Sequence, residues 1–276
     1  MKTLKKVCGF IFLLTIAGRL SAQTKHSEEL VVPLSEPGKP VTLQAHLVDG
    51  SIKVVGYDGK DVIVTVYMDS SKDEHDEDAE SEGMKRINST GGMDVRIDER
   101  DNVVHINTGE MNRKLVALMI KVPQNTARVD VGTVNNGDIS VTNVSGKVEI
   151  GNVNGPITAT GISGSVVANT VNGDVIVKFK SVDEKTAMAF ASLNGKIDVT
   201  LPADTKANLK LKSDNGEMFS DFDIAVDKTT PKVETNNEEH YHQIKIENWV
   251  TGKINGGGSE ITMKSTFGSI YIRKAK

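Results

Sequence analysis

The 276-residue chain is short of several things, and each shortage excludes a class. It has a single cysteine, Cys8, so no intramolecular disulfide is available and no cysteine metal site can be assembled. It has one tryptophan, and aromatic residues make up 4% of the whole, so stacked aromatic subsites are scarce. Between Gly137 and Thr200 there is no arginine and no histidine, which weakens a lyase reading of that stretch. The one marked apolar run, Val7 to Ala17, is too short to cross a bilayer, which takes about twenty apolar residues. The stretch from Val134 to Val177 has a fixed short period without helical spacing.

That run sits behind Lys2, Lys5 and Lys6 and ahead of Leu20-Ser21-Ala22, the layout of a secretory signal peptide over residues 1–22 cleaved before Gln23. Cys8 lies inside the apolar part of the signal and outside the context of a lipidated cysteine. Cleavage removes four basic and no acidic residues and takes the formal charge from −4 to −8. An acidic chain of this kind is a poor partner for nucleic acid or anionic membranes. An exported chain without disulfides has to be held by its core and by backbone ladders.

What is present is a repeat. Gly137, Gly146, Gly155, Gly164 and Gly173 recur every nine residues, and the residue before each alternates as Asn136, Ser145, Asn154, Ser163 and Asn172. The unit is therefore eighteen residues made of two similar halves. Apolar residues stand two positions before the last four glycines (Val144, Val153, Ile162, Val171), two after all five (Ile139, Val148, Ile157, Val166, Val175) and four after (Val141, Ile150, Ala159, Ala168, Val177). Glycine and apolar residues share one parity, the signature of strands with one buried face. A fixed short period of this kind predicts a solenoid of strands rather than a hairpin meander, because a meander has no reason to alternate Asn and Ser at every second turn. Stacked coils would bring Asn136, Asn154 and Asn172 into a hydrogen-bonded ladder. The Asn-Gly corners recur at Asn194-Gly195 and Asn215-Gly216, and a Phe-Gly corner at Gly268.

The expected fold is all-β: a single-stranded right-handed β-helix with irregular β caps at both ends. After the signal come N-terminal strands and a cap over 23–122, including an acidic loop at 69–82. Regular coils follow over 123–221, then an irregular loop and C-terminal coils over 222–276. Within the N-terminal part, strands are expected near Thr42–Val48, Ser51–Val55, Val62–Tyr67, Met93–Ile97, Val103–Asn107 and Leu115–Val122.

Candidate chemistry is thin. The acidic loop could collect Ca²⁺ but lacks the spacing of a calcium-binding loop. His240 and His242 could share a metal if they lie on a strand, yet two ligands do not make a closed site. Asp138 and Asp174 share a column two coils apart, about 10 Å by strand spacing, within range of a glycosidase pair. They also adjoin turn glycines, where Asp is common for local reasons. No catalytic residue, metal ligand or cofactor is assigned. The residues singled out are the repeat corners: Asn136, Gly137, Gly146, Asn154, Gly155, Gly164, Asn172, Gly173, Asn194, Gly195, Asn215, Gly216 and Gly268.

Three segments resemble a known group, the putative adhesin family of bacterial envelope proteins, a β-strand-repeat domain of unknown function. They are Asp49-Gly50-Ser51-Ile52-Lys53-Val54 with Gly56-Tyr57-Asp58; the Val122-Pro123 and Leu201-Pro202 elements with their Asn-Gly corners; and Gly256-Gly257-Gly258 through Gly268-Ser269-Ile270. The resemblance implies an exported β-helix-like domain of a Gram-negative envelope of the Bacteroidota type, in the periplasm, at the outer membrane or on the cell surface. It brings no catalytic residues. The expected function is a non-enzymatic adhesin-like or scaffold protein that binds an envelope or surface protein or a glycan. The alternatives are a polysaccharide-active β-helix enzyme and a periplasmic accessory of envelope stress signalling.

Overall fold

The structure is a computed structural model that describes residues 26–68, 95–108, 116–135, 137–227, 232–238, 241–247 and 249–276. The signal segment 1–22, the acidic loop 69–82, Asn136 and His240 lie outside the described residues.

Every described element is a strand or a turn, and the strands stack as two-stranded coils. Four successive coils carry the regular repeat: β7 (Thr126–Asn135) with β8 (Ile139–Thr142); β9 (Ser145–Asn152) with the first half of β10 (Ile157–Asn172); the second half of β10 with β11 (Val175–Val182); and β12 (Met188–Asn194) with β13 (Ile197–Leu201). Each strand pairs in parallel with its equivalent in the next coil. Ile139, Ile157, Val175 and Ile197 thus form one column, and Val131, Ile150, Ala168 and Phe190 another.

The chain does not wind from one end to the other. The seventeen-residue β2 (Val41–Tyr57) lies between the coil of β5 (Val103–Thr108) and β6 (Val116–Pro123) on one side and that of β7 and β8 on the other. The C-terminal coil, β20 (Ser259–Phe267) and β21 (Ile270–Lys274), is likewise inserted between the β12/β13 coil and that of β14 (Ala207–Ser213) and β15 (Met218–Ser220). Sequence spacing suggested that the Gly216 corner follows Gly195 directly; in the structure the Gly268 corner stands between them. Insertion gives each inserted segment a ladder partner on both edges, so its backbone groups are paired on both sides.

Antiparallel strands close the stack. At one end are β1 (His26–Val32) on β3 (Val62–Met68), β3 on β6, and β4 (Val95–Arg100) on β5. At the other, β14 carries β19 (Val250–Ile254), which carries β16 (Ala225–Val226). A separate hairpin joins β17 (Lys232–Glu238) and β18 (Tyr241–Glu247).

The fold is therefore all-β and solenoid-like, with one departure from a simple helix of coils. β2 and β10 run unbroken around a corner from one face to the other, bending at Gly50 (φ 116°) and Gly161 (φ 69°). Because both strands serve two faces, the pairings β2–β7–β9–β10–β8 close into a ring.

The core is a single continuous cluster of Val, Ile, Leu and Ala with a few larger side chains. Ile139, Val141, Val144, Val148 and Ile150 are at most 2% exposed, and the same positions of the next coil, Ile157, Ala159, Ile162, Val166 and Ala168, are fully buried. Small branched residues suit a narrow interior where each coil leaves about 4.8 Å of height.

Candidate functional site: the apolar stripe and glycine trough

The corners set the surface. Across the Ser-Gly corners the flanking core positions are four residues apart, as with Val144 and Val148, so parity is kept. Across the Asn-Gly corners at Gly155, Gly173 and Gly195 they are five apart, as with Thr170 and Val175, so parity breaks inside the turn; at Gly137 they are six apart, Thr133 and Ile139. The apolar residue two before glycine is accordingly buried at Val144 and Ile162 but faces outward at Val153 and Val171. This corrects the expectation that all four share the core face.

Three kinds of column run along the Asn-Gly edge. The first is glycine. A Cβ on Gly137 would lie 1.6 Å from the Gly50 carbonyl oxygen, and Gly155, Gly173, Gly195, Gly268 and Gly216 abut in turn the carbonyls of Gly137, Gly155, Gly173, Gly195 and Gly268 at 2.0–2.4 Å. Only hydrogen fits there. At the other edge Gly146 and Gly164 abut the carbonyls of Thr126 and Gly146, and the Ser145 hydroxyl donates to the Gln124 carbonyl at 2.6 Å.

The second column is asparagine. Asn154 donates to Asn135 (3.4 Å), Asn172 to Asn154 (2.8 Å) and Asn194 to Asn172 (2.7 Å), each amide to the carbonyl oxygen of the amide in the preceding coil. The ladder reaches Asn135 in the coil before. It stops at Asn194 because the inserted coil presents Phe267 there, and Asn215 beyond it donates instead to the Thr266 carbonyl.

The third column is polar and faces inward. Thr133, Asn152, Thr170, Ser192, Ser265 and Ser213 each donate to the corner-glycine carbonyl of the neighbouring coil, at 2.8–3.0 Å. Sequence reading missed these residues. Their signal was present as a Ser, Thr or Asn three residues before most corner glycines.

Outward of these columns lies the candidate site. Val48, Val134, Val171 and Leu193 are 37–50% exposed and stand in register with the half-buried Val153, forming a stripe along the stack. Beside it the equivalent positions are Gly132, Gly151, Asn169 and Ala191. The two glycines floor a shallow trough of about 510 Å³ rimmed by His46, Asp130, Glu149, Val134, Val153 and Val167. A Cβ on Gly151 would meet nothing within 4 Å, so this glycine leaves open space rather than relieving a contact.

The charged groups of the rim pair with one another, while the Nε of Arg128 is buried without a hydrogen-bond partner. Arg128 donates to Asp130 at 2.9 Å and also reaches Glu149; Lys147 lies 2.6 Å from Glu149 and His46 lies 3.4 Å from Asp130. The Lys147 hydrogen bond pulls the Glu149 carboxyl below its ordinary pKa. Partial burial opposes that shift, and the Arg128 charge adds to it. Such a carboxylate is held ionised and is not poised as an acid. Asp174 is similarly engaged, accepting from the Lys196 backbone amide at 3.0 Å with the Lys196 amine 3.7 Å away. Pro156 occupies the coil between it and Asp138. Among the described residues there is no cluster of three or more metal-ligating side chains. What the arrangement offers is a flat, largely apolar recognition surface with a fixed charged border.

Comparison with known proteins gives one family match and several similar solved structures. Residues 126–255 match the Toastrack DUF4097 family. The matched segment covers the central coils, and the stack continues on both sides of it. Among solved structures, the chain is similar to a putative cell adhesion protein from Clostridium sporogenes at 11% identity and a TM-score of 0.47, over 91% of this chain and 100% of that one. It is also similar to putative adhesins from Bacteroides fragilis (11%, 0.35, over 92% and 99%) and Parabacteroides distasonis (10%, 0.27, over 92% and 98%). No curated protein matches in sequence. Among the described residues no helix is long and apolar enough to cross a membrane.

Proposed function

We propose that this chain is an exported, non-enzymatic, adhesin-like or envelope scaffold protein, a right-handed β-helix that uses the Val48–Leu193 stripe and its trough to hold an envelope or surface partner. The observation that carries the reading is the stripe itself. A solenoid needs no exposed apolar residue at the Asn-Gly corner, because parity has already broken there, yet successive coils supply one at the same place. Aligned exposed apolar residues on a rigid surface mark interaction sites, whereas scattered ones do not. Binding rather than catalysis is supported by the rim carboxylates Asp130 and Glu149, which are tied to cations on the same strands or the next coil.

Two experiments test this. Site-specific photocrosslinkers at Val171 and at Thr158, on the opposite face, should give discrete cellular adducts from Val171 alone. Equal adducts from both positions, or none from Val171, would reject the stripe as the partner face. Protease treatment of intact cells beside lysed controls decides the compartment. Cleavage on intact cells supports adhesion, and protection until the outer membrane is opened makes the protein a periplasmic scaffold.

A further inference from the structure

The two faces of the stack end differently. Beyond β14 the first face continues into β19 and β16, whereas on the second face β15 is the last strand among the described residues. Among the described residues the core is covered on one side only at this end, and a cavity of about 300 Å³ opens there. Its floor is Leu209, Leu211 and Ile272, core residues 1–4% exposed, and its walls include Phe222, Ile224 and Val250. The lining holds two hydroxyl residues, Ser220 and Thr251, and the Ser220 hydroxyl is engaged in a turn with the Phe222 amide and carbonyl at 3.0 and 3.2 Å. The interior thus asks for an apolar occupant without hydrogen-bonding groups.

The surroundings are cationic. The Lys274 amine lies 5.0 Å from the Phe222 ring centroid. It also belongs to an adjoining surface depression of about 650 Å³, whose lining side chains include Lys178, Arg273, Lys274 and Lys276 beside Asp198 and Asp221. Arg273 is tied to Asp198 at 2.8 Å, which leaves the lysines in excess. A local positive surplus on a chain of formal charge −4 favours an anionic group at this spot.

We propose that the end of the stack binds a free single-chain amphiphile, with its alkyl tail in the Leu211–Phe222 cavity and its anionic head at Lys274. At roughly 30 Å³ per methylene-sized group the cavity takes about ten carbons. This site is separate from the partner face and does not depend on it.

The test is calorimetric titration of the purified chain with straight-chain alkanoates of six to fourteen carbons. Affinity should rise about fourfold per methylene and level off near ten carbons. Val226, 60% exposed at the rim, is replaced by Trp to block the mouth; V226W should lower decanoate affinity at least tenfold with an unchanged melting temperature. Should V226W alter folding, K274Q decides: it should weaken decanoate several-fold and leave 1-decanol unaffected. Vesicles of a diacyl phosphatidylglycerol, whose paired chains exceed the cavity, should not compete. The proposal is overturned by no binding of any chain length, by affinity that keeps rising to fourteen carbons, by equal loss for decanoate and decanol in K274Q, or by vesicles competing as well as decanoate.

Discussion

Replacing Gly173 and Gly151 separately by alanine tests the stacking of corners directly. Both glycines lie in the regular coils, and neither has a positive φ, so backbone strain does not enter. At Gly173 the new Cβ would stand 2.2 Å from the Gly155 carbonyl oxygen and 2.7 Å from the Pro156 nitrogen. Relieving that contact requires the corner to open by about 1 Å, beyond the reach of well-formed hydrogen bonds. The bonds at risk are Thr170 to the Gly155 carbonyl (3.0 Å), Gly155 N to the Asn172 carbonyl (2.8 Å) and Ile157 N to the Asp174 carbonyl (2.8 Å). Losing two of these three bonds at about 1 kcal/mol each, with about 1–3 kcal/mol of overpacking strain, outweighs the ~0.4–1 kcal/mol gained by restricting the unfolded chain. G173A should therefore lose about 3 kcal/mol, roughly 6–12 °C in melting temperature for a chain of this size. At Gly151 the added methyl meets nothing within 4 Å. G151A should be neutral or slightly stabilising, within about 1 kcal/mol. Urea denaturation followed by circular dichroism gives both values. Equal losses for the two variants, or a G173A loss below about 0.5 kcal/mol, would refute close approach as the reason for glycine at the corner.

Two further outcomes are expected. Ser192→Ala removes the buried hydroxyl that donates to the Gly173 carbonyl at 2.9 Å and should cost about 1–2 kcal/mol in urea denaturation, whereas Ser192→Thr should be tolerated, since Thr170 fills the same column in the preceding coil. Glu149→Gln should change the pH dependence of stability. The carboxyl is held below its ordinary pKa in the folded chain, so its contribution is fully present above the unfolded value of about 4.3 and is lost as pH falls through the lower folded value. The stability gap between the native chain and E149Q should be constant near neutral pH and shrink on acidification below that range. A gap that widens on acidification would reject the assigned Lys147 and Arg128 contacts.

The repeat could be read because stacking at intervals of 18 to 22 residues leaves its mark on each of the regular coils. Glycine recurs where a Cβ cannot fit between neighbouring carbonyls, asparagine where an amide can bridge to the next, and branched apolar residues where the interior is narrow. These are local demands, met residue by residue, so the sequence itself determined that the chain is all-β, coiled, and punctuated at Gly137, Gly155 and Gly173. The acidic composition and the scarcity of aromatics likewise narrowed the range of partners without any structure.

Tertiary structure decided what depends on coils far apart in the chain. Spacing alone could not place Gly268 between Gly195 and Gly216, because inserting a coil costs the chain a long excursion that leaves no local pattern. The outward turn of Val153 and Val171 was hidden for a different reason. Parity counted from glycine is the same at both corners, and only the geometry of the five-residue corner shows that it breaks. The stripe, the glycine-floored trough and the cavity behind Phe222 all arise from side chains brought together across coils, and it is on these surfaces that the candidate functions rest.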